Sequence, residues 1–260
     1  KIQMHDKDLA GIENALNDLL ERMRASYKQQ VQFVSDASHE LRTPIAVIQG
    51  YVNMLDRWGK DDQAILTESI EAIKNESEHM QKLVEQLLFL ARGDSNRQTL
   101  DMKSCSLNDI MREVYEESVM IDEKHHYRYE EKGNGYVWAD IDMLKQSARI
   151  LIDNAAKYTP QGEDIVIRVG LLTDDKVINA PFYEIQDNGI GMAQKDVEHA
   201  FDRFYRADAV RNSKTGGTGL GLSIARWIIE KHHGYAQIVS REGLGTRFTI
   251  ILPQNPQMGS

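Results

Sequence analysis

Between residues 12 and 55, core-type side chains recur as Ile12, Leu16, Leu19, Met23, Tyr27, Val31, Val34, Ser38, Leu41, Ile45, Ile48, Val52 and Leu55. Steps that alternate between three and four keep one stripe on one side of a helix, which is the seam of a coiled coil or bundle. The spacing predicts one long helix over 8–58. Around Met23, Tyr27 and Val31 steps of four follow one another, the mark of a four-residue insertion that changes the local supercoil and could serve as a joint. Gly59-Lys60-Asp61-Asp62 breaks the stripe, and a second seam runs through Leu66, Ile70, Ile73, Ser77, Met80, Val84, Leu87 and Ala91. Two antiparallel helices joined by a short turn make a hairpin, and one hairpin cannot bury both sides of its stripes. Pairing with a second copy completes a four-helix bundle, so a homodimer is expected.

Gly93-Asp94-Ser95-Asn96 is polar and ends the helical pattern, placing a domain boundary there. Beyond it, β-like runs at 165–172, 182–186, 235–240 and 246–252 mix with helical stretches at 107–122, 141–158 and 220–232. Elements of these lengths predict an α/β sandwich with helices on one face of a mixed sheet.

Composition narrows the class without changing this outline. A 260-residue chain has a prior of about two domains, and 41% hydrophobic with 27% charged residues is ordinary for a globular protein. The net charge of −9 argues against a nucleic-acid scaffold, which needs a basic face. A single cysteine, Cys105, forms no intrachain disulfide and reads as a small filler residue. No apolar run reaches the roughly 18 residues of a membrane span and no signal peptide opens the chain, so as given it reads as soluble. Its start in helical sequence at Lys1 suggests a piece of something longer.

Candidate chemistry sits in three places. In SHELRTP, residues 38–44, Ser38 lies on the seam, so His39 points beside it toward solvent. Glu40 can accept the imidazole Nδ1 proton and leave Nε2 as nucleophile, and Thr43 lies four residues on from His39, on the same face. Pro44 supplies no amide proton, so the helix can bend below the histidine, as a hinge would. Two glycine loops follow, Asp187-Asn188-Gly189-Ile190-Gly191-Met192 after a strand and Gly217-Thr218-Gly219-Leu220-Gly221-Leu222-Ser223 opening a helix. Glycines permit close backbone approach, and a helix N-terminus offers free amides to phosphate. On the helix before the first loop, Asn154, Lys157 and Tyr158 share a face and suit a magnesium ion, a phosphate and a base.

Taken together these segments resemble the cytoplasmic catalytic core of a bacterial two-component sensor histidine kinase. SHELRTP resembles its phosphoacceptor box, DNAAKYTP its asparagine box, DNGIGM its first glycine box, FDRFYRAD its phenylalanine box and GGTGLGLS its second glycine box, with a weaker glycine element at Gly243-Leu244-Gly245-Thr246. The resemblance implies a signalling helix at 1–25 similar to the end of a HAMP segment, a dimerisation and phosphotransfer hairpin at 26–93, a linker and first strand at 94–106, an ATP-binding domain of the Bergerat fold at 107–254, and a tail at 255–260. It implies ATP and Mg2+ as cofactors. Asp187 would bind the adenine amino group, Asn154 would ligate magnesium, and Lys157 and Tyr158 would contact phosphate and nucleotide. Gly189 and Gly191 belong to the first loop. Arg206 and Arg211 would reach the phosphates, while Gly217, Thr218, Gly219, Leu220 and Gly221 form the second loop, whose glycines would let the lid close. His39 would take the γ-phosphoryl group with Glu40 as general base and pass it to an aspartate on a response-regulator receiver domain. Thr43 would hold the water for a reverse phosphatase activity. The resemblance implies the cytoplasmic portion of a bacterial membrane sensor, its membrane segments lying outside this chain.

One position departs from the pattern: Ile150 stands where many members carry a second asparagine. Two other classes compete, an ATPase of the gyrase and Hsp90 type, which would lack the SHELRTP hairpin, and a non-catalytic dimeric adaptor, which would not bind ATP. The pairs His125-His126 and His232-His233 read as structural, because adjacent helical side chains diverge by about 100°.

Overall fold

A computed structural model describes residues 10–58, 62–95, 98–173, 179–207 and 217–254, apart from the side chains of Ala10 and Ser26. Helix α1 spans Ala10–Trp58 without interruption, through both the four-residue irregularity and Pro44. Helix α2 spans Gln63–Asp94. Its start is fixed by Asp62, whose Oδ1 accepts the amides of Ala64 and Ile65 at 2.9 and 3.2 Å, an ordinary N-cap. Residues 59–61 of the expected turn lie outside the described residues.

The chain divides into two compact units, residues 1–84 and 85–260. In the first, the α2 seam differs from its sequence-based placement. Ser69 and Leu83 are fully buried, whereas Ile70 and Val84 are exposed. The expected stripe therefore mixes two faces: one set of positions packs within the hairpin, and the neighbouring set looks outward. On α1, Pro44 is buried while Ile12, Leu19, Met23, Tyr27, Val31 and Val34 are exposed, so an apolar face several turns long has no cover among the described residues.

The second unit has helices on one face of a mixed sheet, the predicted class. After β1 (Lys103–Ser106) come α3 (Leu107–Ile121), β2 (His126–Lys132), β3 (Tyr136–Ala139), α4 (Ile141–Tyr158), β4 (Asp164–Leu172), β5 (Ala180–Asp187), α5 (Gln194–His199), α6 (Gly221–Lys231), β6 (Tyr235–Arg241) and β7 (Gly245–Ile251). The main sheet runs β2-β4-β5-β7-β6, with β2 parallel to β4 and the other pairs antiparallel. β1 and β3 form a separate antiparallel pair. Strand alternation sends Ile165, Ile167, Tyr183, Ile185, Phe248 and Ile250 to the helical side, where they meet the apolar faces of α3, α4 and α6.

The site depends on α4, and α4 is fixed at both ends. Asp140 caps its start by accepting Met143 N at 3.1 Å, and the second carboxylate oxygen accepts Asp101 N at 2.9 Å. The amide of Asp140 in turn donates to His232 Nε2 at 3.0 Å, while His232 Nδ1 donates to Ile228 O at 2.7 Å. Those two bonds assign the neutral tautomer, and burial lowers the imidazole below its ordinary value. At the other end His125 contacts Thr159 O through Nε2 at 3.0 Å and Asp122 through Nδ1 at 2.6 Å. One histidine of each pair is thus a structural tie, as expected. Mid-helix, Ser147 bonds the buried Tyr183 hydroxyl at 2.7 Å. Among the described residues no helix is long and apolar enough to cross a membrane.

Candidate functional site

On α1, His39 and Thr43 are both exposed, Glu40 is half-buried and Pro44 is buried. That pattern fits one helix face carrying the histidine and threonine, with the proline one step around toward the hairpin interior. Ser38 turns its hydroxyl back onto Val34 O at 2.7 Å, an i−4 bond that favours local bending. No hydrogen bond joins His39 to Glu40 among the described residues, because consecutive helical side chains point about 100° apart; the expected Nδ1 contact is absent from this conformation.

In the second unit the predicted residues converge on the C-terminal half of α4. Asn154, Lys157 and Tyr158 are all half-buried, and the Lys157 ammonium stands 4.9 Å from the centroid of the Tyr158 ring. The first glycine loop leaves β5 directly beneath them. Ile190 N donates to Tyr158 O at 3.1 Å, and a Cβ on Gly189 would lie 2.5 Å from that same oxygen, so glycine is what allows the close approach. Gly191 has φ +67 and backs onto the Arg241 carbonyl, where any side chain would collide.

Asp187 closes β5 at 6% exposure. Its Oδ1 accepts Gly189 N at 2.8 Å and Thr246 N at 3.1 Å. Burial pushes this carboxyl above its ordinary value, more than the two amides draw it down. With Oδ1 held by the backbone, Oδ2 is the atom left for a ligand. The Thr246 contact was visible in sequence only as the weaker glycine element; the register of β7 against β5 delivers it.

The second glycine loop packs against the same helix. A Cβ on Gly217 would run into the Lys157 ammonium, and one on Gly221 would touch the Ile150 side chain at 3.4 Å. Ile150 therefore presents hydrocarbon to the first turn of α6, where the family pattern offers an amide. α6 is 11 residues long and its N-cap residue Leu220 makes no side-chain cap bond, which leaves the first-turn amides suited to an anion. The Leu220 side chain is itself fully buried in the domain core, so any ligand contact there is through backbone. Phe204 holds φ +61, rare for a non-glycine residue, and donates its amide to Gly219 O at 2.9 Å. Gly219 faces it at φ +70. Sequence reading had no signal for the Phe204 conformation. Arg206 is half-buried; Arg211 lies outside the described residues.

Residues 139–256 match the model of the histidine kinase-, DNA gyrase B-, and HSP90-like ATPases, and residues 29–96 match the His Kinase A (phospho-acceptor) domain. The chain belongs to the sensor histidine kinases. It is 39% identical to the sensor histidine kinase YkoH of Bacillus subtilis over 234 residues, covering 90% of this chain and 50% of that protein. It is 37% identical to the signal transduction histidine-protein kinase ArlS of Staphylococcus aureus over 254 residues, covering 96% of this chain and 55% of that protein. The chain thus spans about half the length of the curated relatives it matches. Among solved structures, the histidine kinase AdeS of Acinetobacter baumannii shares the fold with a TM-score of 0.62 at 24% identity, over 84% of this chain and 98% of that one.

Proposed function

We propose that this chain is the catalytic core of a two-component sensor histidine kinase, which phosphorylates itself on His39 from ATP and passes the phosphoryl group to an aspartate of a response-regulator receiver domain. The observation that carries the reading is the coexistence of an exposed histidine in SHELRTP on a helical hairpin with the buried Asp187, whose Oδ1 is held by two backbone amides at the start of the first glycine loop.

The adenine amino group donates to Asp187 Oδ2, which the two backbone amides orient. The triphosphate extends along α4 toward the amides of Gly217–Gly221, with Lys157 as a cation and Tyr158 beside it. Arg206 would add positive charge at the phosphates, and the family resemblance alone assigns Arg211 the same role. These residues fit the group: backbone amides hold Asp187 Oδ1 and leave Oδ2 for a donor, and the α6 N-terminus lacks a side-chain cap. Magnesium held by the Asn154 side-chain oxygen, phosphate oxygens and water would offset charge on the transferred group. Ile150, a hydrocarbon side chain, would offer no ligand atom to the ion. In the transfer, His39 Nε2 forms a bond to the γ-phosphorus as the bond to the ADP oxygen breaks, and the Nδ1 proton passes to Glu40, which must rotate toward the ring. Thr43, on the histidine's face, positions water for hydrolysis of the regulator's phosphoaspartate.

The uncovered apolar face of α1 supports a homodimer through the hairpin. The N-terminal 25 residues are assigned to a signalling helix, and the parent protein to a membrane sensor with this core in the cytoplasm. Incubation with γ-labelled ATP tests the central claim. Wild type gains acid-labile label and His39→Gln gains none; label persisting in that variant would show that another residue is the acceptor.

A further inference from the structure

The last residues of α2, 85–94, belong to the second compact unit, and four of them form one helical row. Gln86, Phe89, Gly93 and Asp94 stand at i, i+3, i+7 and i+8. Thr218 donates its hydroxyl to Gln86 Oε1 at 2.6 Å. The Phe89 ring meets Trp227 of α6 edge-on, with centroids 5.1 Å apart. A Cβ on Gly93 would lie 2.6 Å from the Trp227 indole, so the missing side chain is what lets that ring rest on the helix. Arg203 completes the row with two hydrogen bonds to Asp94, at 2.8 and 2.7 Å. Arg203 and Thr218 adjoin the Phe204–Gly219 backbone closure from opposite sides, so the row grips the chain at both ends of that closure.

Thr218 sits inside the second glycine loop. Its oxygen accepts Leu220 N at 3.3 Å, and its one proton goes to Gln86. A hydroxyl has a single proton to give, so while Gln86 holds it none is available to a phosphate oxygen. We propose that Gln86 is a positioning residue that keeps the second glycine loop in a low-affinity state for nucleotide, and that release of the α2 terminal row frees the Thr218 proton for the triphosphate. Helix α2 is continuous from Gln63 to Asp94, so rotation about its own axis carries the four contacts away together. The inference rests on Gly217–Gly221 being the nucleotide loop.

Calorimetric titration of the full chain with MgATP tests it, using wild type, Gln86→Ala, Gly93→Ala and Gln86→Glu, with thermal unfolding as a check on each fold. Gln86→Ala removes the acceptor and Gly93→Ala pushes Trp227 off the row, so both are expected to bind about three- to tenfold more tightly, the equivalent of one competing hydrogen bond. Gln86→Glu keeps an acceptor for the Thr218 proton and is expected to match wild type. Unchanged or weaker binding by Gln86→Ala overturns the proposal, as does Gln86→Glu binding as tightly as Gln86→Ala. Failure of wild type itself to bind MgATP would be a different result, removing the nucleotide reading and this inference with it.

Discussion

Replacing Asp187 with asparagine separates what this residue does for the fold from what it does for the nucleotide. In the fold, one oxygen accepts the amides of Gly189 and Thr246. An asparagine oxygen can accept both, and those two donors fix which way the amide points: its NH2 must take the place of Oδ2. In the proposed complex the nucleotide's amino group would then meet a donor instead of a charged acceptor. Loss of a hydrogen bond to a charged group, with a buried donor left facing another donor, is worth about 2–4 kcal/mol, or roughly 30- to 1,000-fold weaker MgATP binding. Stability moves the other way. Burial raises the Asp187 carboxyl above its ordinary value of 3.8, so the group favours the fold below that value and loses this contribution as pH rises through its folded value. The asparagine has no such loss, so the variant is expected to be at least as stable as wild type near neutral pH, with the gap closing as pH falls toward the ordinary carboxylate range. Titration calorimetry and urea unfolding on the same preparations read both effects. A folded variant that binds MgATP within about threefold of wild type would refute the adenine contact.

Other expectations follow from single positions. His232 is neutral and buried with a lowered folded-state value, so its contribution is complete above the unfolded value of 6.5 and declines as pH falls below it; urea midpoints should drop on acidification through that range, and His232→Phe should flatten this part of the slope while leaving Asp140 N unpaired at about 1–3 kcal/mol. Gly191→Ala places a Cβ against the Arg241 carbonyl at φ +67 and is expected to lower stability by about 2 kcal/mol or more, seen as a thermal midpoint several degrees lower; an unchanged midpoint would mean that the loop relaxes freely. Thr43→Ala should slow dephosphorylation of the phosphorylated regulator more than autophosphorylation, and equal loss of both would remove its separate role.

Much of the site was readable because its chemistry is written in contiguous residues. Gly189, Gly191 and Gly219 stand where backbone must approach backbone, and Asn154, Lys157 and Tyr158 share a face by helical spacing alone. Long, strongly periodic helices were equally plain. Short or exposed elements were not: β2 has only alternate residues partly covered and reads as charged sequence, β3 is four residues long, and α5, at six, never completes two turns. The α2 seam was misplaced by one position at Ile70 and Val84, because apolar side chains face both the hairpin interior and the uncovered side, and hydropathy does not distinguish them.

The sequence by itself determined which chemistry the chain can carry: a histidine on a helix, an acid after a strand and glycines before a helix, each specified by bonds local to a few residues. Tertiary structure decided how those groups are held. The second amide on Asp187 comes from Thr246, 59 residues away, through the β5–β7 register, and the proton of Thr218 is taken by Gln86 from the end of another helix, 132 residues away. Such contacts depend on where long elements come to rest against one another, and packing of the whole core sets that geometry.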